Sequence, residues 1–98
     1  MAKLNSNYEA VYILKPDLSE EQTAALVERF KSVVEANGTV TGVDEWGKRR
    51  LAYPIDDLTE GYYVLMTFTA AAAVPAELDR IFRITDSVMR SLIVCKDQ

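Results

Sequence analysis

Apolar residues alternate along positions 8–14, with Tyr8, Ala10, Tyr12 and Leu14 on one side and Glu9, Val11 and Ile13 on the other. Both sides are largely apolar, as a strand in the middle of a sheet requires. Lys15-Pro16-Asp17 ends it. From about residue 20 to 37 the spacing becomes helical. Leu26, Phe30, Val33 and Val34 form an apolar stripe, opposed by Glu28, Arg29, Lys31, Ser32 and Glu35. Ser19 stands three residues before Gln22, the spacing of a capping box, and Glu20 and Glu21 fall in the electropositive first turn. Asn37-Gly38 predicts a left-handed stop.

A second strand begins at Thr39 and passes through Val40 and Val43 to Ile55, an unusual length. Leu51, Tyr53 and Ile55 share one face, and Pro54 cannot donate a ladder hydrogen bond, so this strand belongs at a sheet edge. Gly47 beside Trp46 predicts a bulge that accommodates the length. Positions 56–61 read as a turn and 62–70 as a third strand. Tyr62, Val64, Met66 and Phe68 share one of its faces, with Tyr63, Leu65 and Thr67 on the other. The short connection makes an antiparallel hairpin. Pro75 suits the first turn of a second helix, whose stripe is Leu78, Ile81 and Phe82 and whose other sides carry Glu77, Asp79, Arg80 and Arg83. Thr85-Asp86-Ser87 closes it, and 88–95 form a last strand in which Arg90 lies among apolar neighbours.

Strand–helix–strand, twice, predicts an α+β, ferredoxin-like split βαβ fold (βαββαβ). The right-handed crossover rule places both helices on one face of a four-stranded antiparallel sheet in order 4-1-3-2. The other face stays open and carries Val11, Ile13, Tyr63 and Leu65, too apolar for a surface that meets only water.

At 98 residues and 49% hydrophobic, the chain forms one domain over 1–98, with its core at about 7–96. No apolar run is long enough to span a bilayer, the first residues lack the apolar core of a signal peptide, and Cys95 is the only cysteine. A cytoplasmic protein with no membrane partner is expected. The net charge of −4 and pI near 4.7 repel nucleic acid at long range, so RNA contact requires local cations or a basic partner.

Catalysis has few materials. Without histidine and with one cysteine there is no imidazole proton shuttle, thiol–imidazole pair or ordinary zinc site. The four glycines form neither a Walker loop nor GxGxxG. Asp17, Glu20 and Glu21 fall at a helix start, and Asp56, Asp57 and Glu60 in a turn, where carboxylates cap or are solvated. The residues argue against an enzyme and predict no cofactor, metal or small-molecule substrate.

One stretch concentrates the remaining chemistry. Glu45-Trp46-Gly47-Lys48-Arg49-Arg50-Leu51-Ala52-Tyr53-Pro54-Ile55 holds the only tryptophan and the only run of three basic residues. Charge on an edge strand also guards against edge-to-edge aggregation. Tyr63 is a central-strand aromatic, but the full aromatic RNA-recognition pattern is absent. A ferredoxin-like ligand-sensing or dimerisation domain remains the alternative, since no residue refutes it.

Nearly the whole chain resembles the bacterial small-subunit ribosomal protein six family. The likeness runs through Tyr8-Glu9, Ile13-Leu14-Lys15-Pro16-Asp17-Leu18, Gly61-Tyr62-Tyr63-Val64, Glu77-Leu78-Asp79-Arg80 and Asp86-Ser87-Val88-Met89-Arg90. It is most specific at Trp46-Gly47-Lys48-Arg49-Arg50-Leu51-Ala52-Tyr53-Pro54-Ile55. The resemblance implies a structural constituent of the small ribosomal subunit. It also implies binding to the central domain of small-subunit (16S) ribosomal RNA, as a heterodimer with small-subunit ribosomal protein eighteen. Carried over, Lys48, Arg49, Arg50 and Tyr53 become the RNA- or partner-binding surface, with Arg80 and Arg90 where their blocks match. Arg49 and Arg50 would bind phosphates or carboxylates through their forks, Lys48 would act as a point charge, and Tyr53 would anchor packing. Arg80 also has a local alternative, an (i, i+3) pair with Glu77. Asp56 and Cys95 depart from the family's usual residues and lower the local positive charge, which favours a narrow contact centred on 48–50.

Overall fold

Six elements follow in the expected order: β1 (Ser6–Leu14), α1 (Glu20–Glu35), β2 (Gly38–Ile55), β3 (Leu58–Ala70), α2 (Ala73–Ile84) and β4 (Val88–Cys95). The computed structural model describes residues 6–55 and 58–96, and for 52–55 the backbone alone. The sheet is antiparallel with order β2-β3-β1-β4, the ferredoxin-like arrangement expected, so β1 and β3 are central and β2 and β4 are edges.

The alternation in β1 and β3 decides which face the helices cover. Ala10, Tyr12 and Leu14 pair across to Met66, Val64 and Tyr62, and these side chains meet the helix stripes. Val27, Phe30 and Val34 come from α1, and Val74, Leu78, Ile81 and Phe82 from α2. At the centre Tyr12, Phe30 and Phe82 pack ring to ring, with centroids 5.0, 5.0 and 4.8 Å apart. Burying each such side chain stabilises the fold by about 1.5–3 kcal/mol.

Helix α1 begins as its sequence requires. The Gln22 N–H donates to Ser19 Oγ at 3.1 Å, and the Ser19 N–H donates to Gln22 Oε1 at 3.0 Å. Its end differs from expectation. The cap is Ala36, in right-handed conformation with its N–H bonded to Ser32 O, and no left-handed glycine follows. Gly38 opens β2 for a steric reason instead: a Cβ there would lie 2.7 Å from Ala70 Cβ and 2.8 Å from Thr69 O.

The hairpin also differs. Residues 58–61 are the start of β3 rather than part of a turn, and Ile55 pairs with Leu58. Asp56 and Asp57 lie outside the described residues. Residues 58–61 of β3 pair only with β2, so this end of the hairpin extends as an arm beyond the central strands. The bulge lies where it was expected: the register shifts between Glu45 and Gly47, and Gly47 has φ +81°.

Candidate nucleic-acid and protein interface

Register divides the basic run of β2 between the two faces. Lys48 pairs with Tyr62, on the helix side, and lines a cavity of about 410 Å³ with Leu18, Glu20, Thr23 and Glu45. In that cavity the Tyr62 hydroxyl donates to Glu45 Oε1 at 2.8 Å, and this bond pushes the Tyr62 phenol above its ordinary pKa. Arg49 pairs with Gly61, so it shares the opposite, open side with Tyr63 and Ile13. Arg50 pairs with Glu60, again at a helix-side position and opposite a carboxylate. All three are exposed. The narrow cluster expected at 48–50 is therefore one cation on the open face and two on the other.

Arg90 joins Arg49 on the open face. Its Cα partner is Ile13, which in turn pairs with Tyr63. Trp46 lies flat against Tyr63, with centroids 6.3 Å apart and planes 16° from parallel, and its indole N–H donates to Asp44 Oδ2 at 3.1 Å. Arg49 and Arg90 thus approach an aromatic pair from two strands, a mixture that suits phosphate and a stacked base or an apolar partner. Arg80 is elsewhere. It sits on α2, on the far side of the sheet, and grips Glu77 bidentately at 2.6 and 3.0 Å. That bond lowers the Glu77 carboxyl and raises the Arg80 guanidinium from their ordinary values. The side chain of Tyr53 lies outside the described residues.

Two open-face residues went unrecognised in the sequence. Leu92 is 63% exposed and Val94 45% exposed, and they pair with Val11 and Glu9. With Val11, Ile13, Arg90 and Ser91, Leu92 lines a shallow cavity of about 380 Å³. The signal was present in the alternation of 88–95: Ser91, Ile93 and Cys95 turn toward the helices, leaving Arg90, Leu92 and Val94 outside. Among the described residues no cluster of acidic or sulfur ligands could hold a metal.

The comparisons with known proteins agree with this architecture. The family model described as ribosomal protein S6 matches residues 7–95. The small ribosomal subunit protein bS6 of Caldanaerobacter subterraneus subsp. tengcongensis is 54% identical over 92 residues, covering 93% of this chain and 97% of that protein. The bS6 protein of Clostridium botulinum strain 657 is 57% identical over 91 residues, covering 92% and 97%. The crystal structure of 30S ribosomal protein S6 from Thermotoga maritima superposes with a TM-score of 0.90 at 29% identity, covering 95% of this chain and 89% of that one. With sequence, fold and the Trp46–Ile55 stretch all in agreement, the chain belongs to the ribosomal protein S6 family.

Proposed function

We propose that this protein is a non-enzymatic constituent of the small ribosomal subunit that binds the central domain of 16S ribosomal RNA together with small-subunit ribosomal protein eighteen. One observation carries the reading. The open face joins cations, Arg49 and Arg90, to a continuous apolar surface that includes Trp46, Tyr63, Leu65, Val11 and Leu92. A surface that met RNA alone would have no use for Leu92 and Val94, and one that met only protein would not need the cations. The apolar part accepts the protein partner, and Arg49, with Lys48 and Arg50 on the arm, reaches RNA or partner carboxylates. An acidic chain of net charge −4 joins an RNA particle when a basic partner supplies most of the counterion release, and opposite charge speeds the pairing.

Titration of central-domain RNA with this protein alone, then with the basic partner added, at two salt concentrations, tests the reading. Binding that appears only with the partner is the expected result. Tight, salt-sensitive binding by this chain alone would move the main RNA contacts onto Lys48, Arg49 and Arg50. If neither mixture binds, the ribosomal RNA reading fails.

A further inference from the structure

Charge divides the open face near the bulge of β2. Arg90 shares a row of Cα partners with Ile13, Tyr63 and Gly47, and Arg49 follows in the next row along the arm. On the other side of that row the sign reverses. Asp44 stands opposite Leu65, and Glu9 opposite Thr67 one row further on. Trp46 lies at the boundary, because the register shift between Glu45 and Gly47 places it between the acidic and the basic rows. Tyr63 covers one side of its indole, and the ring is still 39% exposed, so its other side is accessible. The indole N–H uses only Oδ2 of the exposed Asp44, at 3.1 Å.

We propose that Trp46 and Asp44 form a receptor for an arginine side chain of the basic partner, a contact that rests on the heterodimer reading given above. The guanidinium lies flat on the open side of the indole, and its N–H fork reaches the Asp44 carboxylate at the ring edge. Tryptophan is the aromatic that attracts cations most strongly. Donation of its N–H to a carboxylate leaves the ring richer in electrons, which strengthens that attraction. Guanidinium is flat, weakly hydrated and forked, so it can stack and bind carboxylate together, whereas an ammonium does one or the other. The bond to Asp44 and the stack on Tyr63 hold the ring in place beforehand, so little freedom is lost on binding.

The same carboxylate argues against an RNA base as the occupant. A base stacked on Trp46 would bring its phosphates toward Asp44, with Glu9 in the row beyond, and like charges repel. Arg49 and Arg90, on the other side of Trp46, leave the anions to that end of the face. Within the proposed complex the acidic rows and the indole therefore take the partner's cation.

Heteronuclear NMR of the full chain reads the site directly, because Trp46 supplies its only indole N–H signal. The probes are capped arginine, lysine and citrulline amides and adenosine monophosphate, each to about 50 mM. Arginine amide should shift the indole and the Asp44 and Tyr63 amides saturably, with affinity about threefold above that of lysine amide. Citrulline amide, flat but uncharged, should leave them in place. Asp44→Asn should weaken arginine binding about threefold. A second arm measures pairing with small-subunit ribosomal protein eighteen by calorimetry, without RNA. There Asp44→Arg and Trp46→Ala should each weaken pairing about tenfold or more. Circular dichroism melts establish that the variants are folded, and if Trp46→Ala does not fold, the Asp44 variants decide. Absence of a saturable arginine shift overturns the proposal, as does an equal response to the three amides. A preference for adenosine monophosphate overturns it too and makes the indole a platform for a base. If the natural chain pairs with protein eighteen and the variants pair equally well, the arginine contact falls while the heterodimer stands. Failure of the natural chain to pair at all overturns the heterodimer reading, and the amide titration then decides whether the arginine site stands by itself.

Discussion

Tyr12 concentrates an opposition between packing and polarity. Its ring is fully buried between Phe30 and Phe82, and its hydroxyl has no hydrogen-bond partner among the described residues. A buried polar group left unpaired costs about 1–3 kcal/mol. Tyr12→Phe keeps both ring contacts and removes the hydroxyl, so it should raise stability by about 1 kcal/mol in urea denaturation. A loss of similar size would mean that the hydroxyl has a partner after all. Burial first, then the charges of Glu45 and Tyr62, push the Tyr12 phenol well above its ordinary value. Above about pH 10 the unfolded phenol loses its proton while the folded one keeps it, so the folded state binds more protons. Stability present below that pH then falls as pH rises, by up to about 1.4 kcal/mol per pH unit. Melts across this range should fall less steeply for Tyr12→Phe, and equal slopes would assign the loss to other groups. Gly61 is decided by sterics instead. A Cβ there would drive into Ile13 Cγ2, with Leu14 O and Leu51 Cδ2 each at 3.5 Å. Gly61→Ala should cost about 1–3 kcal/mol in the same assay, and a neutral result would show that Ile13 can turn aside.

At the scale of elements, local chemistry was read well and long-range geometry less so. Ser19 and Gln22 announced the start of α1 because a capping box involves only neighbours in sequence. Ser19→Ala should therefore lower the urea midpoint by an amount equivalent to about 1 kcal/mol, and an unchanged midpoint would show that other groups hold the first turn. The end of α1 is not legible locally, because Gly38 answers to Ala70, a residue 32 positions away that only the folded sheet brings near. Likewise 58–61 read as a turn on composition, yet antiparallel pairing with β2 draws Leu58-Thr59-Glu60-Gly61 into β3. The alternating faces of β1 and β3 were legible, since period two needs no knowledge of partners, and with them the open face of Val11, Ile13, Tyr63 and Leu65. Which face each of 48–50 takes was not. The bulge between Glu45 and Gly47 resets which residues face which side, and a bulge's register cannot be counted from the sequence alone.

For the molecule as a whole, that split determines how it would touch RNA in the proposed role. Arg49 points to the side that holds Arg90 and the Trp46–Tyr63 pair, while Lys48 overlooks a cavity with the carboxylates of Glu20 and Glu45. A cation beside two carboxylates gives up those neighbours when it turns to a phosphate, so its gain on binding is smaller. Arg49 meets no such competition in its own row, where its Cα partner is Gly61. The two single substitutions should then separate. In the proposed complex of this protein with a basic partner and central-domain RNA, Arg49→Ala should reduce the slope of log K against log salt by about 1. Lys48→Ala should change it by less than about half that. Arg80→Ala should leave the slope alone, because Arg80 lies across the sheet and is already held by Glu77. Equal losses from Lys48 and Arg49 would mean that RNA wraps both sides of the arm. An effect at Arg80 would shift the RNA path to the helix face. If Arg49→Ala leaves the slope unchanged while lowering affinity, its partner is a protein carboxylate inside the proposed heterodimer, and the phosphate contacts belong to the other chain.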